Sequence, residues 1–219
     1  MELNGMNAIK VYKMTEKIKN GDEGALDALR RECLVEMATA KSKHKAADTA
    51  RAKMCEKLAG RHELLANLRG SWITADGRQA ACDGRFAVIW DYPVEGCAEV
   101  TEGLDKIDIG RYFAAANDGE QVRENVARAD VLNACTAVMR QARAIGEKRP
   151  LVFVCGGYFD PRLMGDVVGT LADSEGEPLI LCRHAKKMSA GLIIRAMNGD
   201  ALIMPVRVGE KLPALVAEI

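Results

Sequence analysis

The sequence predicts an α+β fold in which a β-α-β-β-β unit occurs twice, with a long N-terminal helical region and a helix inserted between the units. Three observations predict it. Two Asp-Gly dipeptides, Asp76-Gly77 and Asp83-Gly84, separate three short β-type runs after Gly70, the pattern of a hairpin meander. Before Gly70, apolar residues recur at three-and-four spacing, so a helix precedes that meander. After Pro150, LVFVCGG reads as a buried strand, FDPRLMGDVVGTLA as a helix, and three more strand-type runs close the chain.

Each element has a local reason. The segment NAIKVYKM, residues 7–14, reads as a short extended strand, and NGDEG after it supplies turn and N-cap chemistry. Leu26, Leu29, Cys33 and Met37, then Ala47, Ala50, Met54 and Leu58, make one long helix or a helical hairpin that breaks near KSKHK, residues 41–45. SWITA, RQAAC and RFAVIWD form the first meander. From Pro93 to about Gly119 the pattern is weak, with a short strand expected at KIDIG. EQVRENVARADVLNACTAVMRQARAIG, residues 120–146, reads throughout as the inserted helix, with Val131, Cys135, Val138, Ala142 and Ile145 as its apolar stripe. In the final third Asp160 is the N-cap and Pro161 the first helical residue. Strands follow at PLILCRH, GLIIRAM and ALIMPVRV, and Pro205 in the last of them belongs at an edge or a bulge because it cannot donate a ladder hydrogen bond. The segments are 1–69, 70–149 and 150–219, gathered in one compact domain, with the two repeat helices side by side and the strands behind them.

Composition excludes several classes. Seven cysteines lie scattered without metal-ligand or CxxC spacing, which argues against a disulfide framework and a zinc site and places the chain in the reducing cytoplasm. No run of about 18 apolar residues occurs, so no membrane span is expected. The chain carries 31 basic and 31 acidic residues, and gives no whole-molecule argument for a polyanionic partner. Residues 1–69, however, hold 14 Lys/Arg against 10 Asp/Glu. Lys41, Lys45, Lys53, Lys57 and Arg61 recur there at multiples of four. This stripe is either the solvated side of a long helix or a face for nucleic-acid phosphates, and steep salt dependence of binding separates the two.

Catalytic constellations are thin. Cys155 and His184 are the one thiol and imidazole that could be assembled as nucleophile and base, but Cys155 falls in an apolar strand pattern where a small buried hydrophobe is the ordinary reading. Gly156-Gly157 precedes no Lys-Ser/Thr and is a tight turn, not a phosphate loop. No cofactor or metal is expected. Gly165 and Gly169, four apart in the last helix, read as positions of close backbone packing.

The unit that closes on ALIMPVRV resembles the bacterial DNA polymerase sliding clamp, the beta subunit that makes the replicase processive. Family chains finish on Met-Pro-x-Arg-hydrophobic, matched by Met204, Pro205, Val206, Arg207 and Val208. FDPRLMGDVVGTLA is similar to a family helix at Phe159, Asp166 and Val167, and ACDGRFAV to a family hairpin at Ala81, Asp83, Gly84, Phe86 and Ala87. The resemblance covers residues 150–208 and 71–92 and implies a DNA-clamp-like fold.

The resemblance further implies a non-enzymatic protein of DNA replication or repair, from a phage or mobile element. It binds partner peptides of the polymerase or clamp-loader type, and double-stranded DNA through Lys41, Lys45, Lys53, Lys57 and Arg61. The peptide pocket falls at Leu202, Met204 and Pro205. The alternative is a clamp-fold scaffold or regulatory interaction module without DNA. Family chains carry three such domains and dimerise into a six-domain ring, so a homo-oligomeric ring built from one domain per chain takes six copies. Residues 160–173 depart from the family's basic channel helices, since Arg162 stands alone there against Asp160, Asp166 and Asp173. In the tail beyond Val208, Leu212, Leu215 and Val216 are apolar and either shield the sheet edge or occupy the peptide pocket.

Overall fold

Gly77 and Gly84 adopt φ of +83° and +84°, and the two Asp-Gly dipeptides turn the chain where the sequence predicts. The computed structural model describes residues 8–22, 24–26, 29, 45–94, 96–97, 107–173, 176–187, 189–209 and 215–219. Strands β1 (Ser71–Ile73), β2 (Gln79–Cys82) and β3 (Phe86–Trp90) form the first antiparallel meander. Strands β7 (Pro178–His184), β8 (Leu192–Ala196) and β9 (Gly199–Ile203) form the second. The third strands of the two meanders pair antiparallel, with Phe86 opposite Ile203 and Trp90 opposite Gly199. The order β1-β2-β3-β9-β8-β7 therefore has an internal two-fold at its centre.

The chain departs from the predicted elements in three places. Residues 8–14 belong to helix α1 (Ala8–Lys19), not to a strand; Val11, Met14 and Ile18, three and four apart, are its half-buried side. Residues 121–127 form strand β4 (Gln121–Ala127), which pairs with β7 along its whole length and adds a seventh strand to the sheet. The inserted helix, α4 (Arg128–Ile145), starts only after it. The segment expected as a strand at KIDIG instead opens helix α3 (Ile109–Asn117), capped by the Asp108 carboxylate, which accepts from the backbone N–H of Arg111 at 3.3 Å; Lys106 lies outside the described residues. The break expected at residues 41–45 falls largely outside them as well. The α+β class stands, with a helix followed by a three-stranded meander occurring twice.

Helix α2 (Lys45–Ala59) precedes the first meander and α5 (Pro161–Leu171) the second. They pack side by side, and α4 packs on the other flank of α5. Strand alternation sends Phe86, Val88 and Trp90 of β3 and Ala201 and Ile203 of β9 into the core beneath these helices. Ala87, Ile89 and Leu202 point to the opposite face, where α3 covers them with Ile109 and Phe113. Each fully buried large apolar side chain is worth roughly 1.5–3 kcal/mol. A small second sheet holds β5 (Leu151–Val154), β6 (Gly157–Phe159) and β10 (Val216–Glu218), the last parallel to β5.

One buried cation joins the layers. Arg51 of α2 is fully buried, donates from Nε to the Thr170 carbonyl at 2.9 Å and from Nη2 to the Asn198 carbonyl at 3.3 Å, and lies over the Tyr92 ring at 4.3 Å. Asp48 stands 3.7 Å from its Nη1. Both repeat helices and the β8–β9 turn are thereby held in one arrangement.

Candidate nucleic-acid and peptide interface

Past Ile203 the chain leaves the ladder and runs on without regular structure to Gly209. Met204 N–H donates to the Arg85 carbonyl and Val206 N–H to the Tyr158 carbonyl, both at 2.8 Å. Pro205 lies between these two donors, so its missing N–H forfeits neither of them. Met204 and Pro205 line a cleft of about 590 Å³ with Tyr158, Arg183, Val206 and Arg207. Met204 is 43% exposed, whereas Leu202 is 5% exposed and belongs to the α3-side core, not to this cleft. The cleft wall is set by Arg183, itself buried. It donates from Nη1 to the carbonyls of Cys155 at 3.2 Å and Gly156 at 3.0 Å, from Nε to Ala190 at 3.2 Å and from Nη2 to Lys187 at 3.2 Å. One guanidinium thus fixes the β5–β6 turn against the loop after β7.

Cys155, at φ +47°, sits in that strained β5–β6 turn. Burial first, then the Glu124 carboxylate, pushes its thiol up to about 12, and its Sγ donates to the Leu181 carbonyl at 3.7 Å. His184 Nδ1 accepts from the backbone N–H groups of Lys186 and Lys187 at 3.0 and 3.2 Å. The imidazole is thus tied into its own turn, and the thiolate a nucleophile needs is disfavoured near neutral pH. Among the described residues no three His, Cys, Asp or Glu side chains gather as a metal site, and no helix is long and apolar enough to cross a membrane.

The basic stripe is only partly displayed. Lys41 lies outside the described residues, and Lys45 opens α2 with its side chain outside them too. Lys53, Lys57 and Arg61 line a groove of about 350 Å³ between α2 and α5, together with Arg85. Lys57 Nζ pairs with Asp166 at 3.2 Å. Arg61 pairs with Glu63 at 2.7 Å and with the buried Asp83 at 3.0 Å. Asp83 also accepts from Arg85 Nη2 at 2.7 Å and from the backbone N–H groups of Arg85 and Phe86. Gly169 faces Ala50 of α2 and Gly165 faces Cys135 of α4, but an added Cβ would meet them at 4.0 and 3.9 Å, an ordinary contact. Close packing therefore does not demand glycine at either position.

Sequence reasoning named Arg162 but missed the cations that join it on the other flank of α5. Arg140 and Arg143 of α4 and Arg162 of α5 line a second groove there, and Lys148 and Arg149 continue it. The signal was present in MRQARAIGEKRP, but it straddles a helix end and escapes a search at helical spacing.

No protein-family model matches the chain, and no curated protein matches it in sequence. Among solved structures it is similar to the sliding clamp (DNA polymerase III subunit beta) of Bartonella birtlesii bound to griselimycin, at 16% identity over 74% of this chain and 65% of that one, with a TM-score of 0.49. It is similar to a protein of Eubacterium rectale ATCC 33656 described as a DNA polymerase III beta subunit, at 15% identity over 61% of this chain and 42% of that one, TM-score 0.38. The third is the Helicobacter pylori beta clamp bound to a DNA ligase peptide, at 11% identity over 59% of this chain and 40% of that one, TM-score 0.34. The matched parts span between 40% and 65% of these clamps.

Proposed function

We propose that this chain is a non-enzymatic, sliding-clamp-like protein of DNA replication or repair, which binds a partner peptide at the Met204–Pro205 cleft and double-stranded DNA on its helical face. The observation that carries the reading is the internal two-fold centred on β3 and β9, which sets α2 and α5 side by side on one face. That packing gathers Lys53, Lys57, Arg61 and Arg85 in one groove. Cations fixed on one face track phosphates without reading bases. The cleft adds an exposed thioether and a proline on a rigid frame, suited to an apolar peptide side chain. The test of the DNA half is titration of a duplex of arbitrary sequence, where affinity must fall steeply with salt. The test of ring formation is solution mass by light scattering: a hexamer supports encirclement and a monomer removes it.

A second reading, a clamp-fold scaffold that binds peptides without DNA, is favoured by the ion pairs of Lys57 and Arg61 with Asp166, Glu63 and Asp83. Charges answered within the protein attract phosphate less. Absence of DNA binding at low salt, with peptide binding retained, would establish it.

A further inference from the structure

The groove between α4 and α5 differs from the α2–α5 groove in how its charges are answered. Its two hollows, of about 400 and 510 Å³, share Met139, Arg143 and Arg162 and so adjoin, together making the α4–α5 channel. Arg140 and Arg143 stand one turn apart on α4, Lys148 and Arg149 follow its end, and Arg162 faces them from the first turn of α5. None of these cations makes an ion pair or a side-chain hydrogen bond among the described residues. Three carboxylates, Glu147, Asp160 and Asp166, line the channel too, and none makes an ion pair with these cations among the described residues. Asp160 caps α5, accepting from the N–H groups of Arg162 at 2.8 Å and Leu163 at 3.3 Å. Glu147 accepts from the N–H of Arg149 at 2.9 Å, and Asp166 holds Lys57 on the other flank. The α4–α5 channel is thus lined by unanswered cations, mostly arginine, whose planar donors match phosphate oxygens. In the α2–α5 groove Lys57 of α2 and Arg61, just past its end, are ion-paired, which leaves Lys53 alone without an ion pair among the described α2-side cations.

We infer that the α4–α5 channel, through Arg140, Arg143, Arg149 and Arg162, is the principal phosphate-binding surface of the helical face for double-stranded DNA, and that α2 supplies the weaker contacts. The inference rests on the proposed reading that this face binds DNA. A guanidinium with no internal partner releases the counterions of a phosphate in full, and each such contact adds roughly 0.9 to the salt slope.

The experiment is fluorescence anisotropy of a labelled duplex of about 30 base pairs at salt rising from about 50 to 200 mM, the range in which such contacts are read. It compares the full chain with Arg140→Ala/Arg143→Ala/Arg149→Ala and with Lys53→Ala/Lys57→Ala. The α4 triple variant is expected to lose about tenfold or more in affinity at the lower salt and to flatten the slope by about 2 to 3, while the α2 double variant loses no more than about threefold. All three arginines are exposed, so thermal unfolding of the triple variant should match wild type, and Arg→Lys at the same positions should keep the slope. A triple variant that binds as wild type does, or an α2 variant that loses as much, overturns the inference and leaves DNA binding standing. No binding by wild type at the lower salt overturns the DNA reading itself, and the inference with it.

Discussion

Lys57 Nζ lies 3.2 Å from Asp166 Oδ2, and this pair joins the two repeat helices across the groove that the sequence marks as basic. Its side chains are 63% and 49% exposed, so its contribution to stability is about 0–1 kcal/mol. Its effect on the field of the face is larger than its effect on folding. Asp166→Asn is expected to strengthen duplex binding severalfold at low salt while changing the urea midpoint by no more than about 0.5 kcal/mol equivalent. Unchanged DNA affinity in that variant would show that the α2–α5 groove does not touch DNA.

Gly199 opens β9 directly against β3. A Cβ at that position, built at φ +144°, would lie 2.2 Å from the Ile89 carbonyl oxygen and 2.9 Å from Trp90 Cα, both backbone atoms of the facing strand. Gly199→Ala is therefore expected to cost about 3 kcal/mol or more, by opening the two-fold centre of the sheet. Denaturant unfolding checks it, and a loss below about 1 kcal/mol would mean that the β3–β9 junction yields readily.

What could be read from the sequence follows from how local each signal is. Asp76-Gly77, Asp83-Gly84 and the Asp160-Pro161 start of α5 act within a few residues and were legible. QVRENVA is rich in helix formers, yet forms β4 because β7, more than fifty residues on, offers it a full ladder. NAIKVYKM carries β-favouring Val, Ile and Tyr, while the three-and-four spacing of Val11, Met14 and Ile18 decides for helix. The geometry of the candidate site was legible in part. The Met204–Pro205 stretch lies on a cleft, but Leu202 turns into a core that depends on α3, which the sequence did not reveal. Asp166 and Asp83 answer Lys57 and Arg61 from other elements, beyond the reach of any charge pattern read along one helix.

Asp200 supplies a pH signature. Burial raises its carboxyl above the ordinary value of 3.8, Asp91 adds to the rise, and Arg195 and Arg78 oppose it. The folded chain therefore holds this proton to higher pH than the unfolded chain does. Stability from this group is present in full below 3.8 and is lost as pH rises through the raised folded value. Asp200→Asn should be more stable than wild type at neutral pH, with the difference closing below 3.8; a difference independent of pH would contradict it.

Arg183 supports the cleft without being replaceable by a point charge. Its removal takes the guanidinium donor from the carbonyls of Cys155, Gly156 and Ala190, while that of Lys187 keeps the Ala190 N–H at 3.0 Å. Arg183→Ala should cost about 3 kcal/mol, and Arg183→Lys should recover only part of it because one ammonium cannot span both loops. Thermal and denaturant unfolding check both. A Lys variant as stable as wild type would show that charge, not the guanidinium fork, is what the site uses.

The C-terminal tail tests the cleft independently. Its described part pairs with β5, Val216 opposite Leu151 and Glu218 opposite Phe153, with Leu151 N–H donating to the Leu215 carbonyl and Ile219 N–H to the Phe153 carbonyl. Leu215, Ala217 and Ile219 pack half-buried against the helix-side core, and none of residues 215–219 lines the Met204 cleft. Of the two courses the sequence left open, shielding a sheet edge is the one these residues take; Leu212 lies outside the described residues. Deleting residues 210–219 uncovers the β5 edge and the apolar surface behind it, and should cost about 2–3 kcal/mol and promote association. A polymerase-type clamp-binding peptide should bind full-length and truncated protein alike, and Met204→Ala should weaken both by about tenfold, the effect of trimming one well-packed contact residue. Tighter binding after truncation, lost again in Met204→Ala, would instead place part of the tail in the cleft as a competitor. Binding by neither form would remove the peptide site from the proposed function while leaving the helical face to be judged on DNA alone.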